Sequence, residues 1–181
     1  MDPHAPAPGR IGPRILVVSQ NRSHLAVLAR RLRAEGYQIA AADSGIAAIA
    51  ELHRAPADLV LSELVMVPMS GVELTRAVRG ETAWRDLPVM LIAGRAEPDG
   101  AVRAYAAGAD DVILKPFFFE ILAARIERRL ASAHALRQLR EDNATLDARV
   151  VERAIELGEL RDRYLASEAE RRRLATLMPV R

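Results

Sequence analysis

Between about residue 14 and residue 116 the chain alternates short, unbroken apolar runs with stretches whose apolar residues recur every three or four positions. The runs are Ile15-Leu16-Val17-Val18, Leu59-Val60-Leu61, Val89-Met90-Leu91-Ile92 and Val112-Ile113-Leu114. Each is too short for a helix and continuous, as a strand buried on both faces should be. Tyr37-Gln38-Ile39-Ala40-Ala41 is a weaker fifth strand, preceded by Gly36 as a helix stop. The stretches between them predict amphipathic helices. Leu25, Leu28 and Leu32 share one face; Ile46, Ala47, Ile49 and Ala50 follow the cap Ser44; Val72, Leu74 and Val78 follow Ser70; a last stretch runs from Val102 to Ala107 and stops at Gly108. Strands alternating with helices predict an α/β fold with a parallel sheet and right-handed crossovers. Five such units in so short a span predict the flavodoxin-like, doubly wound (βα)5 order, with its functional crevice at the C-terminal strand ends.

From about residue 116 to 178 the period changes. Pro116 suits a first helical turn, no further proline appears before Pro179, and Gly158 is the sole internal breaker. A heptad places Leu136, Asn143, Val150, Leu157 and Tyr164 at a, and Leu139, Leu146, Arg153, Leu160, Ser167 and Leu174 at d. So narrow a stripe on so long a helix predicts a partner helix, hence a homodimer. Asn143 at an a position suits a parallel pair, whereas Arg153 and Ser167 predict local fraying or imperfect packing. The plainer alternative is a lone, partly disordered helix. The expected organisation is a disordered leader at 1–13, an α/β domain at 14–130, a coiled-coil helix at 131–178 continuing the domain's last helix, and a tail at 179–181.

Composition narrows the chemistry. Of 181 residues half are hydrophobic but only 4% are aromatic, so the core must be aliphatic. Without cysteine there is no disulfide, thiolate metal site or thiol catalysis, which fits a cytoplasmic protein. No apolar run approaches the ~20 residues of a membrane span. The four prolines of the leader accompany no signal-peptide pattern. A net charge of +2 gives little reason to expect nucleic acid as a partner. Among 26 basic residues Lys115 is the single lysine, which singles out an ammonium there.

Residues 14–130 resemble the receiver domain of bacterial response regulators. The matching stretches are Ile15-Leu16-Val17-Val18, Asp58-Leu59-Val60-Leu61, Pro88-Val89-Met90-Leu91 and Gly108-Ala109-Asp110-Asp111-Val112-Ile113-Leu114-Lys115-Pro116-Phe117. The resemblance implies a nucleophilic aspartate after the third strand and Mg²⁺-binding acids after the first. It further implies a hydroxyl residue after the fourth strand, a lysine after the fifth, and an aromatic switch within the fifth. This chain has Ser19 and Gln20 at the acidic positions, Glu63 at the nucleophile, Ala93 at the hydroxyl and Val112 at the switch. Lys115 alone is retained. Pro68 also lies one residue later than the family's proline, with Val67 in that place.

These departures agree with one another. One carboxylate beside an ammonium is a poor Mg²⁺ site. Glu63 reaches about 1.5 Å further than aspartate, which misplaces an in-line nucleophile and can cost about 100-fold in rate. No metal and no cofactor are therefore expected. Glu63 either pairs with Lys115 as a partial imitation of the phosphorylated state or merely neutralises it. The four histidines show no metal-ligand spacing, and His134 reads as a solvated helical residue. The run Phe117-Phe118-Phe119 cannot all face one stripe of a helix. Arg171-Arg172-Arg173 lies among glutamates, as on a solvated face.

The expected function is a non-enzymatic pseudo-receiver of two-component signalling. It would be a dimeric protein–protein interaction module that meets signalling partners such as a histidine kinase or an output enzyme, with no membrane partner. One alternative is a regulatory front end for a kinase or nucleotide cyclase output supplied in trans. Another is an unconventional phosphoacceptor using Asp110 or Asp111, although both are expected at the start of the fifth strand, away from the pocket.

Overall fold

The computed structural model describes residues 12–95 and 98–177, so the leader up to residue 11 and the tail at 179–181 lie outside the described residues. Five strands, β1 (Arg14–Val18), β2 (Gln38–Ala42), β3 (Leu59–Glu63), β4 (Val89–Ala93) and β5 (Asp111–Leu114), form one parallel sheet in the order β2-β1-β3-β4-β5. Between them run α1 (Arg22–Ala34), α2 (Gly45–Arg54), α3 (Gly71–Gly80) and α4 (Pro98–Ala106), followed by α5 (Phe119–Leu177). This is the doubly wound, flavodoxin-like order.

Both faces of the sheet are covered, which explains the unbroken apolar runs. Ile15, Val17, Leu59, Leu61, Met90 and Ile92 pack with Leu28, Leu32, Leu122 and Ile126 of α1 and α5. The alternate residues Leu16, Val18, Val60, Val89 and Leu91 pack with α2, α3 and α4 through Leu52, Leu74 and Ala104. Side chains alternate across each strand, so a strand between two helical layers has no polar face.

Helix starts follow side-chain caps. Asn21 accepts from the His24 amide at 3.0 Å, Ser44 from that of Ala47 at 3.2 Å, and Ser70 with Glu73 forms a reciprocal capping box. Gly108 sits at φ +95°, the left-handed turn after α4 that a side chain would oppose.

Two details differ from expectation. Helix α4 begins at Pro98, a turn earlier than the Val102–Ala107 pattern. Pro116 is not in a first helical turn. The Lys115 amide still donates to the Ala93 carbonyl at 2.8 Å, extending the sheet ladder. The helix then begins at Phe119, with Ile121 and Leu122 donating to the Phe118 carbonyl. Phe119 is buried, Phe117 packs against the same core, and Phe118 is 75% exposed.

The chain divides into two compact units between His134 and Ala135, within α5. In the second unit the helix is continuous through Arg153, Gly158 and Ser167. Leu136, Leu139, Leu146, Val150, Leu157, Leu160 and Tyr164 are all exposed, as is Asn143. Val151, Ile155 and Leu165 are exposed too and lie off the a/d register.

Candidate functional site

Parallel strands end together. Register pairs Val18 with Ser62, Glu63 with Ile92 and Ala93 with Leu114, so the residues that follow each strand converge at one edge. Ser19, Gln20, Glu63, Ala93 and Lys115 all lie there.

Glu63 is the centre. Its side chain is 15% exposed, and its Oε1 accepts from Lys115 Nζ at 2.9 Å. The same oxygen lies 2.8 Å from His24 Nδ1, a hydrogen bond in which the ring N–H donates. Burial pushes the Glu63 carboxyl pKa up. Hydrogen bonds from Lys115, His24 and Ser19 outweigh that burial and hold the group below its ordinary value. Lys115 is 39% exposed, so its ammonium remains open to solvent on one side.

Ser19 and Gln20 also shape the loops around Glu63, while Ala93 and Val112 belong to the core. Buried Ser19 accepts from the Asn21 amide at 3.2 Å and so shapes the turn into α1. Gln20 clamps the loop after β3: its Nε2 donates to the Val67 carbonyl at 2.6 Å, and its Oε1 accepts from the Val67 amide at 3.1 Å. Ala93 is fully buried and carries no donor. Val112 is buried in the core cluster on the α2–α3–α4 side.

Sequence reasoning missed His24. Its place was readable in principle, because Asn21 caps α1 and the third residue after a cap sits in the first turn, beside the strand ends. Asp110 and Asp111 lie at the opposite edge of the sheet. Asp110 accepts from Arg79 at 2.6 Å and from the Val89 amide at 2.7 Å, tying α3 to β4. Asp111, at the first position of β5, is buried and accepts from Arg125 at 3.0 Å. His134 is exposed. Among the described residues, no three of His, Asp and Glu gather as metal ligands, and no helix is long and apolar enough to cross a membrane.

Comparison with known proteins places this geometry. The family model of the response regulator receiver domain matches residues 15–127. A probable cyclic di-GMP phosphodiesterase of Vibrio cholerae is 32% identical over 161 residues, which is 87% of this chain and 36% of that protein. The transcriptional regulatory protein KdpE of Mycobacterium tuberculosis is 32% identical over 138 residues, 74% of this chain and 60% of that one. The chain thus spans only part of the length of these relatives. Among solved structures, the receiver domain of a signal transduction histidine kinase from Syntrophus aciditrophicus is similar with a TM-score of 0.64 and 31% identity. That match covers 67% of this chain and 92% of the other. The chemotaxis response regulator CheY4 of Vibrio cholerae is similar at a TM-score of 0.61 and 26% identity, covering 65% of this chain and 98% of its own.

Proposed function

This chain belongs to the response regulator receiver domain family, and we propose that it is a pseudo-receiver, a member that signals by association without accepting a phosphoryl group. The observation that carries this reading is the closed ion cluster in which one Glu63 oxygen holds both Lys115 and His24. A nucleophile must approach phosphorus in line, and an oxygen already facing an ammonium and an imidazole is poorly placed for it. Mg²⁺ requires a near-octahedral set of oxygens. Gln20 is turned to Val67 and Ser19 to Asn21, so neither residue after β1 brings a carboxylate to Glu63, and among the described residues no three acidic or histidine side chains gather as metal ligands. These residues do not fit the ion.

Treatment with acetyl phosphate and Mg²⁺, followed by intact-mass measurement, is expected to leave the chain unmodified. An acyl-phosphate on Glu63 defeats the proposal. The roles of Glu63 as phosphoryl imitation and as neutraliser separate in Glu63→Gln. A change in partner affinity supports the first; a change in melting temperature alone supports the second.

The module is a homodimer through α5 in this reading. The exposed a and d residues on a helix with no apolar cover of its own support it. Sedimentation of the full chain is expected to give a dimer that Leu157→Glu converts to monomer. The similarity to the Vibrio cholerae phosphodiesterase runs through 161 residues, well past the receiver match into the helix. That favours a second reading, a front end for an enzymatic output supplied in trans or on a longer chain. Affinity capture of a partner by the full chain, lost on truncation after Leu130, supports this second reading.

A further inference from the structure

Beside the ion cluster, between α1 and the connection from β5 to α5, lies a cavity of about 450 Å³. Its size falls in the range of small-molecule sites, about 300–1,000 Å³. Val27, Phe117 and Phe119 supply apolar walls, and Arg31, Arg95 and Lys115 supply cations. Among the described residues no acidic side chain lines it. The cations differ in how far they are engaged. Arg31 stacks over the Phe119 ring at 4.1 Å and pairs with Glu120 at 3.1 Å, so it stiffens the wall. Lys115 gives one hydrogen bond to Glu63, while an ammonium carries three donors. Arg95 is exposed at the rim.

An apolar slot edged by cations selects a particular chemistry. A neutral ring would leave the cations without a counter-charge, and a bare inorganic anion would leave Val27 and Phe117 in water. We propose that this cavity binds a small organic anion with a flat aromatic body and one acidic head, which Arg95 and Lys115 hold while the ring lies against Phe117 and Val27. Such a ligand shares the Lys115 ammonium with Glu63. Binding therefore reaches the strand-end cluster without any covalent step. The inference concerns the first unit alone and stands whether or not α5 dimerises.

The test uses the full chain and naphthyl phosphate as probe, followed by calorimetry and by amide and methyl NMR. Saturable binding is expected, one probe per chain and tighter than about 1 mM, with the largest shifts at Val27, Leu28 and Phe117. Inorganic phosphate and naphthol, each offering half of the chemistry, should bind at least about tenfold more weakly. Arg95→Ser should weaken the probe at least about tenfold, while Arg171→Ser, in the second unit, should leave it unchanged. Phe117→Ser should also weaken it, with its amide spectrum reporting whether the sheet is intact. Failure to saturate, shifts centred on the exposed residues of α5, or an Arg95→Ser protein that binds equally well would each overturn the assignment.

Discussion

Leucine has opposite fates in the two units. In the unit ending at His134, Leu61 is wholly buried between sheet and helices, and Leu16, Leu59 and Leu91 share that condition. In the unit beginning at Ala135, Leu160 is 58% exposed, with Leu139, Leu146 and Leu157 likewise open. The first unit closes its apolar surface with residues of the same chain, because each strand run meets a helix face some tens of residues away. The second is a single helix, and a single helix has nothing of its own to cover an a/d stripe. Stability in the first unit is thus written within one molecule. In the dimer reading, stability in the second is shared between two and must depend on concentration.

The same truncation placed in each unit tests that contrast. Leu61→Ala opens a cavity in a close-packed core and should cost about 2–5 kcal/mol, at any protein concentration, as read from denaturant unfolding of the sheet. Leu160→Ala should cost no more than about 0.5 kcal/mol in dilute solution, where its side chain faces water. At concentrations that form the seam the cost should rise to at least about 1 kcal/mol per chain. A cost independent of concentration would break the comparison. Next in size is Gly71→Ala at the start of α3. A Cβ there would overlap the Glu63 carbonyl oxygen and crowd Leu91, so the loop that presents Glu63 must shift. A loss of about 1–3 kcal/mol is expected in the same unfolding measurement.

How much of this was legible in the sequence follows the same division. Four strands could be read because continuous apolar runs have few other fates, the weaker β2 and the sheet order because strands and helices alternate five times, and the Ser44 and Ser70 caps because their geometry is local. The ends of elements were harder. Pro116 has the right φ for a helix start, yet the Lys115 amide is still bonded to the sheet, and no local signal in the sequence carries that tertiary bond. The Glu63–Lys115 contact could be anticipated because Glu63 ends one strand and Lys115 follows another at the same edge. His24 is set in the first turn of α1 by the Asn21 cap, but nothing local tells that it reaches Glu63. It matters only because α1 brings its first turn to that edge, and a search for metal-ligand spacing passes over a histidine that serves one carboxylate.

Removing the centre of that cluster sharpens the comparison from the side of charge. Glu63→Ala leaves Lys115 and His24 without their shared acceptor. Since Lys115 is partly solvated, the loss should be only about 1–2 kcal/mol, read as a lower melting temperature of the first unit. The pH dependence has a definite sign. The Glu63 carboxyl is held below its ordinary value near 4.5, so its contribution is complete above that value and fades as pH falls through the depressed folded one. Wild-type and Glu63→Ala melting curves should therefore converge in acid and separate above about pH 5. Curves that stay parallel across that window would remove the ionised carboxylate from the account.

The smallest effect expected has the opposite sign and lies in the other unit. Gly158 interrupts nothing in α5, although glycine in a helix interior costs about 1 kcal/mol relative to alanine. A Cβ there would meet nothing within 4 Å, unlike the one at Gly71. In the heptad it falls at a b position, away from the Leu157 and Leu160 side of the helix. Gly158→Ala should then stabilise α5 by up to about 1 kcal/mol, partly by narrowing the unfolded ensemble, and should raise the far-ultraviolet dichroism melt of the helix without moving that of the sheet. A dimer held only along the a/d seam predicts the same gain at low and high protein concentration, because this face stays in water in both. A gain that reverses to a loss as concentration rises means a second helix approaches Gly158 closely. The exposed Val151, Ile155 and Leu165 would then be its contacts, and the second unit would bury two faces where the seam alone accounts for one.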